Sequence, residues 1–168
     1  AGGASVQVTP DAGGDFWARV EQKSCRGNEP AKIDDKGRLK IPNAHRAVFQ
    51  NCEYGSEVYV TSLTGESVLV YPMPVWLEKE AKLRKAPPSH PAVRKFIERV
   101  SYFGQVAEID SQGRRLIQPR LRESARINGP VAVLGNLDHL VLWNDENIGA
   151  RVKSPLTTED EVALSGFE

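Results

Sequence analysis

The stretch IDDKGRLKIP, Ile33–Pro42, returns as IDSQGRRLIQ, Ile109–Gln118, 76 residues further along the chain. The offset holds without a gap for Ile33 and Ile109, Asp34 and Asp110, Gly37 and Gly113, Arg38 and Arg114, Ile41 and Ile117, and Arg46 and Arg122. A looser echo follows, in which EVYVTSLTGESVLVYP (Glu57–Pro72) has its counterpart in PVAVLGNLDHLVLWN (Pro130–Asn144). Each of these is a pair of β-branched and apolar runs around a turn, the pattern of a β-hairpin. A chain that writes one unit twice folds as two similar halves. Each half reads as strand, tight turn, strand, short helix and hairpin.

The turn chemistry is specific. Aspartate stands first and glycine fourth, with two polar residues between. An Asp side chain can accept a bond from the backbone two residues on, and Gly tolerates the positive φ by which a type I turn leaves into a bulged strand. Asp34, Gly37, Asp110 and Gly113 are therefore assigned to turn geometry. After Pro42, the residues Ala44, Val48 and Phe49 have helical spacing, and Leu121 and Ala125 repeat it after Pro119. The chain between the units reads as a helical connector. Trp76, Leu77, Ala81 and Leu83 mark a first helix, the run KAPPSHP breaks it, and Pro91 suits the first turn of a second. Val93, Phe96, Ile97 and Val100 recur at i, i+3, i+4 and i+7, which predicts a buried stripe.

This periodicity divides the chain into residues 1–24, a disordered extension rich in Gly and Ala; 25–73, the first unit; 74–103, the connector; 104–150, the second unit; and 151–168, an acidic tail. A length of 168 residues suits two small halves sharing one core. The start AGGASVQVTPDAGGDF lacks the basic and apolar regions of a signal peptide, and a first residue other than Met reads as numbering that begins inside a processed or an engineered chain. No apolar run reaches the ~18 residues that span a membrane, so a cytoplasmic location is the default expectation. Cys25 and Cys52 form no disulfide framework and are expected to be reduced thiols.

Charge is balanced overall but unevenly placed. Ala31–Arg46 holds five Lys/Arg against two Asp, Ala107–Arg122 four against two acids, and Glu78–Val100 seven against three. Asp145–Glu168 carries six acids against two bases. Screening beyond ~8–10 Å lets such local patches meet phosphate on a neutral protein. Turn geometry accounts for the aspartates and glycines but gives no reason for an arginine directly after each glycine. Arg38 and Arg114 therefore become the candidate contacts, since a guanidinium bonds phosphate or a guanine edge bidentately, and Lys36 at the first turn's tip adds a phosphate contact.

Catalytic chemistry finds no footing. His45, His90 and His139 share no metal-ligand spacing and are expected in surface or capping roles; Ser62 and Thr64 lie in a turn outside any nucleophile elbow. No phosphate-cradling glycine motif occurs. The expectation is a non-enzyme without cofactor, metal or small-molecule substrate. Trp17, Trp76 and Trp143 read as core or interface anchors.

Together, RGN (Arg26–Asn28), IDDKGRLKIP, SLTGESVLVYP (Ser62–Pro72), RKFIERVSYFGQVAEID (Arg94–Asp110) and GRRLI (Gly113–Ile117) resemble the MraZ family, bacterial transcription regulators of the division and cell-wall gene cluster, within the AbrB-like swapped-hairpin superfamily. The match runs from about Cys25 to Arg151. The resemblance implies an α+β, mainly β fold: tandem swapped-hairpin units closed into a double-split β-barrel, with the helical connector between them. It implies a nucleoid-associated ring of identical chains that binds short direct repeats of double-stranded DNA upstream of its own gene. The DNA contacts it implies are above all Arg38 and Arg114, with Lys36 nearby; Arg115 is a further candidate contact, since an arginine at that place either leaves the barrel interior or adds a contact. A second expectation, from another class, is an oligomeric protein-interaction module without specific DNA binding. Three positions depart from the family pattern: Cys25 in place of Phe, Gln118 where the first motif has Pro42, and Arg115 where it has Leu39. The last two predict unequal halves, with the first turn the safer site.

Overall fold

The computed structural model describes residues 25–46 and 56–167. Val48, Phe49, Cys52, Trp17 and the residue 1–24 extension lie outside them. The strands are β1 (Asn28–Lys32), β2 (Arg38–Lys40), β3 (Glu57–Thr61), β4 (Val68–Pro72), β5 (Gln105–Glu108), β6 (Arg114–Leu116), β7 (Pro130–Asn136) and β8 (His139–Asn144). The helices are α1 (Met73–Leu83), α2 (Pro91–Tyr102), α3 (Pro119–Ala125), α4 (Asp145–Arg151) and α5 (Thr158–Ser165). The fold is α+β with antiparallel pairing.

Both expected hairpins form. In the first, Val58 faces Pro72 and Val60 faces Val70 across β3 and β4. Its connection is held by Ser62, whose Oγ accepts from the Gly65 amide at 2.8 Å. In the second, β7 and β8 pair from Val131 opposite Asn144 to Asn136 opposite His139. The hairpins then join edge to edge through β4 and β8, with Leu69 opposite Val141.

The remaining strands cross between the repeats. β1, from the first unit, pairs with β7 of the second, and β5, from the second, pairs with β3 of the first. β2 and β6 pair with each other in a separate ribbon. Among the described residues the larger sheet has the order β1-β7-β8-β4-β3-β5, so each unit's first strand extends the other unit's hairpin.

Inward alternation builds a shared core. Leu39, Ile41, Val58, Val60, Val68, Ile117, Leu121, Ile127, Val133, Leu140 and Leu142 are all buried in it. Burying each such side chain contributes about 1.5–3 kcal/mol. Ile41 and Ile117, the repeat-matched pair, are both at 1 % exposure. Leu121 and Ala125 are buried on α3, as their spacing predicts. Ser124 on the same helix donates to the Gly65 carbonyl at 2.6 Å and ties the second unit to the first unit's hairpin.

A second cluster gathers Tyr71, Trp76 and Val100, with Tyr59, Leu69 and Phe96 against it. Trp76 stacks on Tyr59 with ring centroids 4.6 Å apart and donates to Glu80 at 2.9 Å. The end of α2 is held by Val100, whose carbonyl accepts from Tyr59 Oη at 2.9 Å and Thr61 Oγ1 at 2.7 Å. Pro91 opens α2 as expected, and His90 caps it by accepting from the Ala92 amide.

Two expectations are corrected. The stripe on α2 is buried only at Val100, while Val93 and Phe96 are half-buried and Ile97 is 45 % exposed. The reason is that α2 meets the sheet at its C-terminal end. Further up, Val93 and Ile97 line an open cavity of about 350 Å³ shared with Leu83 and Trp76. His45 is not a surface residue: it is 1 % exposed, with Nε2 3.3 Å from the Val133 carbonyl. The acidic C-terminal segment carries α5, capped reciprocally by Thr157 and Asp160, with no side chain buried. No described helix is long and apolar enough to cross a membrane.

Burial holds the His45 pKa below its ordinary value. A histidine kept neutral in the fold contributes stability above its unfolded pKa of about 6.5 and loses it as pH falls through the lower folded value. Thermal unfolding followed from pH 7.5 downward should show this loss beginning near pH 6.5. His45→Gln should flatten that part of the profile; an unchanged slope would remove His45 from the account.

Candidate nucleic-acid interface

Each motif turn is organised by its aspartate. In the first, Asp34 Oδ1 accepts from the amides of Lys36 at 2.9 Å and Arg38 at 2.8 Å. Its carbonyl accepts from Gly37 N at 3.0 Å, and its own amide donates to the Arg38 carbonyl at 2.8 Å. The second turn repeats this. Asp110 Oδ1 accepts from Gln112 N at 2.9 Å and Arg114 N at 2.8 Å, and the carbonyl accepts from Gly113 N at 2.9 Å. Gly37 and Gly113 stand at φ +82° and +77°, a region that costs a side-chain-bearing residue ~1–2 kcal/mol.

The arginines have a local partner that sequence reasoning missed. Arg38 Nε donates to Asp34 Oδ2 at 2.9 Å, and Arg114 Nε to Asp110 Oδ2 at 3.1 Å. The turn does use its arginine, because the carboxylate has a second oxygen left after capping the backbone. Among the described residues no acceptor meets the Nη groups of either arginine. The ion pair holds the outer edge of each guanidinium in one orientation. The backbone amides of Arg38 and Arg114 lead in lowering the pKa of their aspartates, helped by the guanidinium. The carboxylates therefore stay ionised well below neutral pH, and their contribution to the turns is lost only as pH falls beneath the usual aspartate range.

The ribbon of β2 and β6 places the turns relative to one another. Arg38 lies opposite Leu116, Leu39 opposite Arg115, and Lys40 opposite Arg114, so the turns leave the ribbon at opposite ends. Ile41 N donates to the Gly113 carbonyl at 2.7 Å, and Ile117 N to the Gly37 carbonyl at 3.1 Å. Four residues from Gly113 to Ile117 at ~3.3 Å each set the turns roughly 13 Å apart.

The site residues named from sequence are thus brought into one arrangement, with Lys36 exposed at the first tip. Arg115 differs from the others. It is half-buried opposite Leu39, burial lowers its pKa, and among the described residues its buried Nε has no hydrogen-bond partner. The expected inequality of the turns does not appear in their geometry, since corresponding bonds differ by 0.2 Å or less. Gln118 begins its helix much as Pro42 does, with its carbonyl accepting from Leu121 N and Arg122 N, as Pro42 accepts from His45 N and Arg46 N. The Gln118 side chain reaches elsewhere, and its Nε2 donates to the carbonyls of Val60 at 3.2 Å and Phe103 at 2.6 Å. No metal-binding group of His, Cys, Asp or Glu occurs among the described residues.

Gly37→Ala should cost about 1–2 kcal/mol from the positive φ alone, with crowding added because a Cβ there would lie 2.5 Å from Arg122 Cζ. Gly129→Ala, where a Cβ meets nothing within 4 Å, serves as the control. Urea unfolding of the two variants should separate them clearly; equal midpoints would show the turn to be permissive.

Several known proteins of similar sequence carry one name. The chain is 41% identical over 143 residues to the transcriptional regulator MraZ of Acidobacterium capsulatum, covering 84% of this chain and 97% of that protein. It is 44% identical over 141 residues to MraZ of Koribacter versatilis, covering 83% and 96%. The match to MraZ of Syntrophobacter fumaroxidans is 36% over 128 residues, covering 76% and 84%. No family model matches the chain. With identities of this size across nearly the whole of the first two relatives, the chain belongs to the MraZ family of transcriptional regulators.

Proposed function

We propose that this chain regulates transcription by binding double-stranded DNA sequence-specifically, reading short promoter direct repeats of the division and cell-wall gene cluster as a ring-shaped homo-oligomer. The observation that carries the reading is the pair of matched turns. Each offers an arginine whose Nε is held by an aspartate and whose Nη edge has no acceptor among the described residues. An oriented guanidinium suits bidentate contact with phosphate or with a guanine edge. The roughly 13 Å between turns is comparable with the ~12 Å width of a major groove. Arg38 and Arg114 make the principal contacts, Lys36 adds a phosphate contact, and Arg115 supports the ribbon between the turns. The exchange of first strands between hairpins supports a tandem swapped-hairpin, double-split barrel. The regulator works in the cytoplasm, on the nucleoid.

Self-assembly is supported by the open cavity beside α1 and α2, by the exposed Ile97 that lines it, and by the exposed Leu77 and Tyr102 on the same two helices. A ring raises the effective concentration of each turn, so weak single contacts sum over the repeats. The same surface is what would favour a protein-interaction module instead.

In a gel shift with the chain's own upstream DNA, Arg38→Ala and Arg114→Ala should each weaken binding at least ~tenfold and lower the salt slope by about one. Because the turns match, similar losses are expected. Full binding by both variants would end the DNA reading, and a wild-type chain indifferent to DNA at low salt would favour the protein module. Ile97→Asp should shift the light-scattering mass toward the single chain; an unchanged mass would place the self-contact elsewhere.

A further inference from the structure

Arg46 and Arg122 stand at equivalent places in the two repeats, just after Pro42 and Pro119, yet neither side chain serves its own turn. Arg122 of the second unit lies over Gly37 of the first: a Cβ added to Gly37 would be 2.5 Å from its Cζ and Nη1. Arg46 of the first unit lies over Gly113 of the second, where an added Cβ would be 2.8 Å from Cδ and 2.9 Å from Nε and Nη1. Each side chain is also bonded in place. Arg46 Nη2 donates to the Ser111 carbonyl inside the second turn at 2.8 Å. Arg122 Nε donates at 2.9 Å to the carbonyl of Ile117, whose amide bonds the Gly37 carbonyl.

We propose that Arg46 and Arg122 are positioning residues that clamp the recognition turns crosswise, each locking the turn of the opposite repeat. The inference rests on the DNA-binding reading for its consequence, though not for its geometry. A positive φ explains a glycine in each turn, but it does not explain why the vacant side-chain position is filled by a guanidinium from the other unit. Among the described residues, the buried Nε of Arg46 has no hydrogen-bond partner. Leaving a buried donor unpaired is unfavourable, so packing on the turn together with the Nη2 bond to Ser111 must outweigh it to hold this side chain in place. The consequence is that the two turns cannot move independently. Arg38 and Arg114 are presented at a fixed separation, and DNA binding loses less conformational freedom than it would with mobile turns.

The test uses the full chain and two readouts. By amide hydrogen exchange, Arg46→Ala should speed exchange at Gln112, Gly113 and Arg114 while sparing Lys36, Gly37 and Arg38; Arg122→Ala should do the reverse. A purely structural loss would speed both turns together. In DNA binding across a salt series, each variant should lose about tenfold in affinity while keeping the wild-type slope, because no phosphate contact is removed. Arg46→Lys and Arg122→Lys keep the charge but lack the flat guanidinium, and they should restore neither affinity nor protection. Should the alanine variants fail to fold, Arg46→Gln and Arg122→Gln give the same crosswise comparison. Exchange that changes in the variant's own turn, in both turns or in neither overturns the clamp, as does a slope that falls by about one. A wild-type chain that binds no DNA overturns the functional reading alone, since the exchange pattern still decides the clamp.

Discussion

The structure depends on backbone hydrogen bonds made between repeats. A first strand left beside its own turn would present unpaired amides and carbonyls, and a lone hairpin of this size is marginal in water. Here β1 completes the hairpin of the second unit and β5 that of the first. The ribbon of β2 and β6 adds a third crossing. Neither half can satisfy its backbone or close its apolar side alone, so the core of Val58, Val60, Val131, Val133, Leu140 and Leu142 is common property. The turns take their placement from this arrangement, because both grow out of the ribbon at the seam between the halves.

At the seam one carboxylate does two jobs. Its Oδ1 closes the turn by accepting two amides, and its Oδ2 orients the arginine that follows the glycine. Neutralising a cation beside a proposed phosphate contact looks counterproductive. The pair is about one-third exposed on each side, so screening keeps the attraction small while the bond still limits side-chain rotation. Orientation, more than charge, is what the aspartate supplies. The second turn reaches the same geometry with Ser-Gln in place of Asp-Lys between its aspartate and glycine.

Much of this was legible in the chain. The repeat, the Asp-x-x-Gly-Arg turns, both hairpins and the start of α2 at Pro91 follow from local rules of turn chemistry and alternation. What was not legible is tertiary. No local rule says that His45 enters the core under Val133, or that the apolar stripe of α2 meets the sheet only at Val100. The spacing of Arg46 and Arg122 marked them as equivalent without revealing that they cross. The turn's use of its own arginine could have been read from the second carboxylate oxygen, since Asp and Arg four apart in a tight turn lie within reach. The helix α5 escaped notice because its apolar residues face no partner among the described residues: Val162 and Leu164 are exposed, as are Leu156 and Phe167 on either side of it.

Gln118 shows what it means for such halves to be joined in one chain. Its side chain bonds the carbonyl of Phe103, where the connector returns to the sheet, and that of Val60 beside it. A covalent connector links the first half to the second and therefore exists once. Two identical chains paired by symmetry would have to carry the same residue at both places, useful or not. Tandem duplication lifts that obligation: the position equivalent to Gln118 can remain Pro42, and the position equivalent to Leu39 can become Arg115. The two halves are thus free to diverge wherever their surroundings differ, while the turns, whose surroundings mirror each other, have stayed alike.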